Sequence, residues 1–534
     1  MFFKKHWAVL FVLLIVVFSA ISNYIVLRLD NTPPVYDELN NWCMSYDIHH
    51  DYSRLEIGKI VTIKTYEWFR NLGSRERPPF YYLFLSLFHN VSHEIDFLRM
   101  TNMLFFTILL FSTYGIGKEL KNKTAGVLAV FIVSVFPAIF AMSRLITVDF
   151  PLTSILALTI FLMLKTAYFT SRKYSVLCGI AAGLGMLTKV PFLMLFGPAL
   201  LYYIIVSFVK AAVQRKIAMV LGNIFLFFII SAMLSASWYV PNINNVIARA
   251  YAMSFGLVED GQFIFIEYYL KQLCNYHIGH FFYLLGITCF ILCLRPRTIL
   301  LVIWFVVPLF LFSFSTNKCP RFILPLLPPV ALMIAFCIAS ISLVRIKKDA
   351  ITIVIVIGLL LFFLNSNGKI NNYPKGRGRI YSSQRLDYGI LFPLHGVDWK
   401  VAEIGGIIMY KLAAIGDRGR SYEILSIFNI GEVNSALNYY LKNKGVNVGI
   451  SCPAEADFFN SMKVKDFCDM GGLLKTDFVM MKSGYQGVNA GNIPWIELLT
   501  EEFRKNQDRF VLIETIRGLP DDSNIYLYKN KNAK

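Results

Sequence analysis

Residues 100–142 read MTNMLFFTILLFSTYGIGKELKNKTAGVLAVFIVSVFPAIFAM. Two apolar runs, Met100–Gly117 and Ala125–Met142, flank a short connection holding Lys118, Glu119, Lys121 and Lys123. A helix needs about 20 apolar residues to cross a bilayer core, and a short basic connection between two such runs marks a cytoplasmic turn. The pattern repeats in both directions. Further runs lie at Trp7–Leu29, Phe150–Leu164, Tyr174–Leu187, Val190–Val209 and Ile217–Val240, then at Phe281–Leu294, Thr298–Phe314, Phe322–Val344 and Ala350–Leu364. Starting with Lys4 and Lys5 inside, every second connection is basic: Arg172 and Lys173; Lys210, Arg215 and Lys216; Arg295 and Arg297; Arg345, Lys347 and Lys348. Eleven spans are expected, with the N-terminus cytoplasmic and the C-terminus outside. The first run is long enough for an uncleaved signal anchor.

Composition agrees. Of 534 residues, 56% are hydrophobic and 16% charged, against about 25% charged in ordinary soluble chains. That excludes a soluble globule, a disordered chain, a collagen and a disulfide-rich miniprotein. The net charge of +18 is dispersed between apolar runs. It reads as topology determinants first and phosphate ligands second, with no nucleic-acid partner.

The outer connections carry the unusual polar groups. Asn31–Arg99 is long and contains Asp37, Glu38, His49, His50 and Glu76-Arg77-Pro78-Pro79. Phe80–Val91 is too short to cross with its neighbour and reads as a juxtamembrane or re-entrant helix. Pro241–His280 reads as a second long outer loop. Ser143–Asp149, Thr188–Lys189 and Ser315–Arg321 are short outer turns. A site at the outer surface is the consequence.

After residue 365 the composition changes. Residues 1–365 read as a membrane domain, 366–385 as a linker and 386–534 as a small extracytoplasmic α/β domain. Its strands are expected at Tyr422–Phe428, Val446–Ser451, Asp477–Met481, Phe510–Ile516 and Ile525–Tyr528, and its helices at Val401–Leu412, Val433–Lys442 and Trp495–Lys505. No Walker or G-x-G-x-x-G stretch suggests a nucleotide. Cys178, Cys289, Cys293 and Cys337 lie in spans as small hydrophobes. Cys452 and Cys468, placed outside, are a candidate disulfide.

Each polar candidate has a plain structural reading beside the functional one. Asp37 caps a helix over Glu38–Ser45 or, among cations on one face, acts as a general base. Arg77 snorkels beside an aromatic belt or binds phosphate. Arg144 and Asp149 form an ion pair stitching a hairpin or touch substrate. Lys189 interrupts an apolar stretch, which is costly unless it faces a polar cavity. Lys318 and Arg321 anchor at the interface or hold an anionic head group. His277 and His280, and His49-His50-Asp51, read as interfacial packing before metal ligation, for want of a third ligand.

Taken in order, Asp37-Glu38, Glu76-Arg77-Pro78-Pro79-Phe80-Tyr81-Tyr82, Ser143-Arg144 through Asp149-Phe150-Pro151-Leu152-Thr153, Gly183 through Lys189, and Lys318 through Pro328 resemble GT-C class membrane glycosyltransferases. These use polyprenyl-phosphate sugars, and the likeness is to the protein O-mannosyltransferase and lipid A aminoarabinose transferase group. The resemblance implies a GT-C-like, mostly α polytopic fold. It makes Asp37 the catalytic base with Glu38 in support, and Arg77, Lys189, Lys318 and Arg321 the donor-phosphate ligands. Glu76, Arg144, Asp149, Tyr81 and Tyr82 become structural or substrate-positioning residues. Arg77 stands where this group often has Lys, so the charge is kept and its geometry changes. The implied reaction is a single inverting displacement onto an acceptor hydroxyl of a lipid, glycan or protein. A cation cluster does a metal's work there, so no cofactor is required and no divalent cation is indicated. The implied setting is a bacterial inner membrane, with an endoplasmic reticulum membrane as the other option. A secondary transporter and a membrane-anchored binding or sensor protein are the competing readings. The absence of an inverted repeat and the charges clustering at one surface weigh against transport.

Overall fold

The structure, a computed structural model, describes residues 2–30, 34, 36–54, 77–255, 266–296, 298–315, 317–369, 385, 387–393, 400–415, 422–428, 431–444, 446, 448–451, 471–484, 494–519 and 522–532. Glu76, Cys452 and Cys468 lie outside the described residues. The chain divides into two compact units.

The first unit holds residues 1–28, 44–375 and 384–393. Its N-terminal helices are α1 (Phe2–Leu29), α2 (Tyr36–Arg54, whose second half belongs here), α3 (Phe80–Phe88), α4 (Ile95–Met100) and α5 (Asn102–Leu120). Next come α6 (Lys123–Val135), α7 (Pro137–Met142), α8 (Asp149–Lys165), α9 (Arg172–Met186), α10 (Phe192–Val213) and α11 (Ile217–Phe255). The unit closes with α12 (Ile266–Gln272), α13 (Gly279–Leu292), α14 (Ile299–Ser313), α15 (Leu327–Ala339) and α16 (Val344–Ser366). Every apolar run expected to span coincides with helix. Among the described residues, six helical stretches are long and apolar enough to cross a membrane: His6–Leu29, Ile95–Leu120, Phe192–Val213, Ile217–Tyr251, Pro320–Ala339 and Val344–Ser366. Lys123–Val135, Gly279–Leu292 and Ile299–Ser313 are shorter apolar helices.

Three expectations need correction. The run Ala125–Met142 is broken before Pro137, which lacks an N–H and starts a new helix. The helix expected to end at Val240 continues through Pro241 to Phe255, so much of the expected second outer loop is helical. An apolar setting tolerates such a proline because neighbouring groups satisfy the freed carbonyl. The short helix after the double proline ends at Phe88, three residues early.

Small residues set how closely the helices pack. A Cβ on Gly179 of α9 would lie 2.7 Å from the Phe227 carbonyl oxygen of α11, and one on Gly183 would lie 2.9 Å from the Leu234 Cβ. Glycines one turn apart therefore let the two backbones meet, the usual means of helix association where lipid competes for apolar surface. Gly179→Leu is expected to cost about 1–3 kcal/mol, because the obstacle is backbone and cannot swing aside. Denaturation midpoints in detergent would show it.

The second unit holds residues 29–43, 376–383 and 394–534. Among the described residues its strands are β1 (Tyr422–Ser426), β2 (Val448–Ser451), β3 (Phe478–Lys482), β4 (Phe510–Ile516) and β5 (Ile525–Asn530), in the order β2-β1-β3-β5-β4. β1 pairs parallel with β2 and β3, and β5 pairs antiparallel with β3 and β4. Period-two alternation gives each face its own core. Ile424, Phe478 and Met480 pack with Ile404 and Ile408 of α17 (Val401–Ile415) and Leu437 of α18 (Gly431–Asn443). Leu425 and Val479 face the other way, onto Leu499 and Phe503 of a helix at Pro494–Lys505. The division of the chain departs from boundaries at 365 and 386 in two places: residues 384–393 group with the membrane unit, and residues 29–43 with the α/β domain.

Candidate active site

A buried ionic cluster in the membrane unit centres on Asp149, at the first turn of α8. Its side chain is buried. Lys189 Nζ lies 2.5 Å from Oδ1, and Arg321 Nε lies 3.7 Å from Oδ2. The ammonium of Lys189 also sits 4.8 Å from the centre of the Phe322 ring. A buried carboxylate needs a cationic partner: loss of the more distant Arg321 leaves Asp149 paired with Lys189, whereas loss of Lys189 removes its close partner, at a cost of several kcal/mol. Asp149 thereby holds two cationic side chains from distant parts of the chain beside one another.

Local sequence explains how each arrives. The turn Leu187-Thr188-Lys189 follows the last residues of α9, and the Leu187 carbonyl accepts the Phe80 N–H at 2.9 Å. The Tyr239 hydroxyl donates to the Met186 carbonyl at 2.9 Å. Phe80, Val190 and Tyr239 pack against Leu187, Trp238 and Val246. The segment Arg77-Pro78-Pro79 therefore docks beside the Lys189 turn, with Arg77 half-buried and both prolines buried. Arg321 rides on a short 3-10 helix, Pro320–Leu326. The ammonium of Lys318 donates to the Ser315 carbonyl at 2.8 Å.

Tyr81 and Tyr82 are buried and tie the site's walls together. The Tyr81 hydroxyl donates to Asn102 Oδ1 at 3.0 Å, and Asn102 Nδ2 donates to the Leu145 carbonyl at 2.6 Å. Tyr82 packs with Met44 and Ile48 of α2 and with Val148, beside Asp149.

Arg144 and Asp149 look to different partners, contrary to the pair expected from their spacing. Arg144 is fully buried. Its Nε donates to Asn23 Oδ1 at 2.8 Å, one terminal nitrogen donates to the Ile390 and Leu391 carbonyls, each at 2.8 Å, and the other reaches Ser22 Oγ at 3.2 Å. The guanidinium clamps α1 and the segment 384–393 onto the hairpin.

That segment contributes residues the sequence reading missed. Gly389 has φ +82°, and a Cβ there would lie 2.3 Å from the Ala141 carbonyl carbon, so only glycine fits. The Ile390 N–H donates to the Ala141 carbonyl at 3.0 Å. The Cys319 thiol donates to Asp387 Oδ1 at 2.9 Å, and the Tyr388 hydroxyl to Gln272 Oε1 at 2.9 Å. Burial pushes the Cys319 thiol up; Arg321 works against that shift and Asp387 adds to it. Asp387 and Arg321 thus both act on Cys319. The only sequence signal for this segment is the apolar stretch Gly389–Pro393 following a polar linker.

Asp37 and Glu38 stand in the first turn of α2, within the second unit. The helix begins at Tyr36, so Asp37 is not its cap; both acids suit the positive end of the helix dipole. Glu38 is fully buried and Asp37 is half-buried. One turn on, Trp42 is buried edge-on against Tyr439 of α18, ring centres 4.7 Å apart. The beginning of α2 is thus anchored to the α/β domain. Among the described residues no group of three His, Cys, Asp or Glu could hold a metal ion.

A family model, dolichyl-phosphate-mannose-protein mannosyltransferase, matches residues 76–235. No curated protein matches the chain in a sequence search. The structure is similar to that of ArnT from Cupriavidus metallidurans bound to undecaprenyl phosphate, with a TM-score of 0.61 and 15% identity over 98% of both chains. It is also similar to the archaeal oligosaccharyltransferase AglB from Archaeoglobus fulgidus in complex with an inhibitory peptide and a dolichol-phosphate. That TM-score is 0.50 at 13% identity, covering 98% of this chain and 74% of that one. The chain has the fold of the GT-C class of membrane glycosyltransferases.

Proposed function

We propose that this protein is an integral membrane glycosyltransferase that moves a sugar from a polyprenyl monophosphate to an acceptor hydroxyl at the outer face of the membrane. The observation carrying this reading is the Lys189–Asp149–Arg321 assembly beside the docked Arg77 segment. These cations lie together in a unit otherwise built for lipid, and Arg77, Asp149 and Lys189 all fall in the stretch matched by the mannosyltransferase family model. The solved relatives that hold undecaprenyl phosphate and dolichol-phosphate add support for a lipid-phosphate donor.

In this reading the donor phosphate meets Lys189, Arg321 and Arg77, with Lys318 nearby. Asp37 takes the proton of the acceptor hydroxyl, and Glu38 supports it from its buried position. The acceptor oxygen attacks the anomeric carbon on the face opposite the phosphate, the bond to the phosphate oxygen breaks, and polyprenyl phosphate leaves carrying the electron pair. The anomeric centre inverts. Charge grows on the leaving phosphate as the transition state is reached. Fixed cations in a water-poor site stabilise that charge better than water does. The acceptor is a lipid, glycan or protein hydroxyl.

The test is transfer from a labelled polyprenyl-phosphate sugar by the purified protein in nanodiscs, with added polyprenyl phosphate competing against the donor. Arg321→Gln is expected to lower kcat/KM by about 10²-fold, the scale of losing one charge-stabilising donor, while the protein stays folded. If lipids and glycoproteins of cells with and without the gene have identical mass spectra, and no donor is consumed in vitro, the reading fails.

A further inference from the structure

Three histidines from two parts of the chain meet where α2 lies against the corner that follows α3. Ser45, Tyr46 and His49 stand on one face of α2, and His89 and His93 on the corner. Ser45 Oγ and His89 Nε2 are 2.9 Å apart, and His89 Nδ1 lies 3.0 Å from His93 Nδ1. The ring centre of His49 is 5.8 Å from that of His89 and 5.7 Å from that of His93. Tyr46 sits edge-on to both, at 5.7 and 5.2 Å. Ser45 is fully buried and His89 nearly so.

Two ring nitrogens facing each other at 3.0 Å need one proton between them. In the neutral pair one ring donates and the other accepts, and the remaining nitrogen of His89 exchanges a hydrogen bond with the Ser45 hydroxyl in the matching sense. Full protonation turns both facing nitrogens into donors. His93 and His49 both act on His89, and His49 also acts on His93, so an added proton meets charge of its own sign there.

We propose that the Ser45–His89–His93 chain, together with His49, is a proton-operated catch that holds the second half of α2 on this corner and releases it as the pH falls. Burial first, then the His93 and His49 imidazoles, lower His89 from 6.5 to about 3, and His93 is lowered by burial and then by His49. A folded value below the free value means that the contact is fully stabilised above pH 6.5 and loses stability as pH falls from 6.5 towards 3. The helix so held also carries Asp37 and Glu38 in its first turn. The inference concerns α2 alone and stands whether or not the chain transfers a sugar.

Hydrogen exchange of α2 amides over residues 44–50, in nanodiscs and corrected for intrinsic rates, tests it. Protection is expected to fall by up to about 30-fold between pH 8 and pH 5. His89→Gln keeps a polar partner for Ser45 but takes up no proton; His93→Gln removes the facing imidazole. Both variants are expected to lessen the dependence, His89→Gln the more because His89 is the more strongly lowered ring, so a folding failure in one leaves the other to decide. Protection independent of pH in the wild type, or the same fall persisting in a folded variant of either kind, overturns the proposal.

Discussion

Asp37→Asn is expected to reduce sugar transfer by about 10³-fold, the middle of the range for losing a general base. The substitution is isosteric, keeps a polar group at the first turn of α2 and leaves Trp42 in its place against Tyr439. Folding and membrane insertion should therefore be unchanged. What the proposed mechanism loses is the group that accepts a proton from the attacking hydroxyl. The proposed mechanism assigns donor binding to cations elsewhere, so KM for the polyprenyl-phosphate sugar should move little while kcat collapses. Glu38→Gln offers the contrast. Glu38 is fully buried, so its effect should register in stability as well as in rate. Near-normal turnover by Asp37→Asn in a lipid-linked-sugar assay would remove Asp37 from the mechanism.

Arg144→Ala is expected to destabilise the membrane unit by about 3–5 kcal/mol, among the largest effects a single substitution produces. Four acceptors lose their donor: the side chains of Asn23 and Ser22 and the main-chain carbonyls of Ile390 and Leu391. A buried acceptor left unsatisfied costs about 1–3 kcal/mol, and local relaxation recovers part of the sum. Packing of the guanidinium on Phe140, 5.1 Å from the ring centre, goes as well. Arg144→Lys should recover little, because an ammonium cannot span the fork that joins α1 to residues 390 and 391. Denaturation in mixed micelles checks the magnitude, and proteolysis after Arg385 checks whether the segment comes loose. An Arg144→Ala protein as stable as the wild type would show that the clamp is dispensable.

Much of the fold was legible because its signal is local. The apolar runs became helical, one of them broken before Pro137, since backbone groups in an apolar setting must be satisfied within the segment. The strand at Phe510–Ile516 was found to the residue, where polar turns bracket a β-branched and aromatic run. The continuation of α11 through Pro241 was not legible, because proline breaks a helix in water but is tolerated among packed apolar neighbours. Asp149, Lys189 and Arg321 each stand out in the sequence as polar groups at the ends of apolar runs, but their pairing was not legible there. Lys189 and Arg321 were expected to face a phosphate; that Asp149 sets both depends on a meeting of residues 40 positions and more apart. Asp387 and Tyr388 were missed altogether, since they lie in a stretch whose composition reads as linker and domain boundary. Nothing short-range marks a segment that folds back onto partners 246 residues earlier.

The clamp between Arg144 and residues 390 and 391 bears on biogenesis. All the apolar helices have been synthesised by residue 366, yet the guanidinium buried among them waits for two carbonyls that emerge only some two dozen residues later. A nascent chain paused at that length would hold an unfinished interior. A recombinant fragment cut at the last apolar helix should therefore be degraded in cells, whereas one extended past Pro393 should persist.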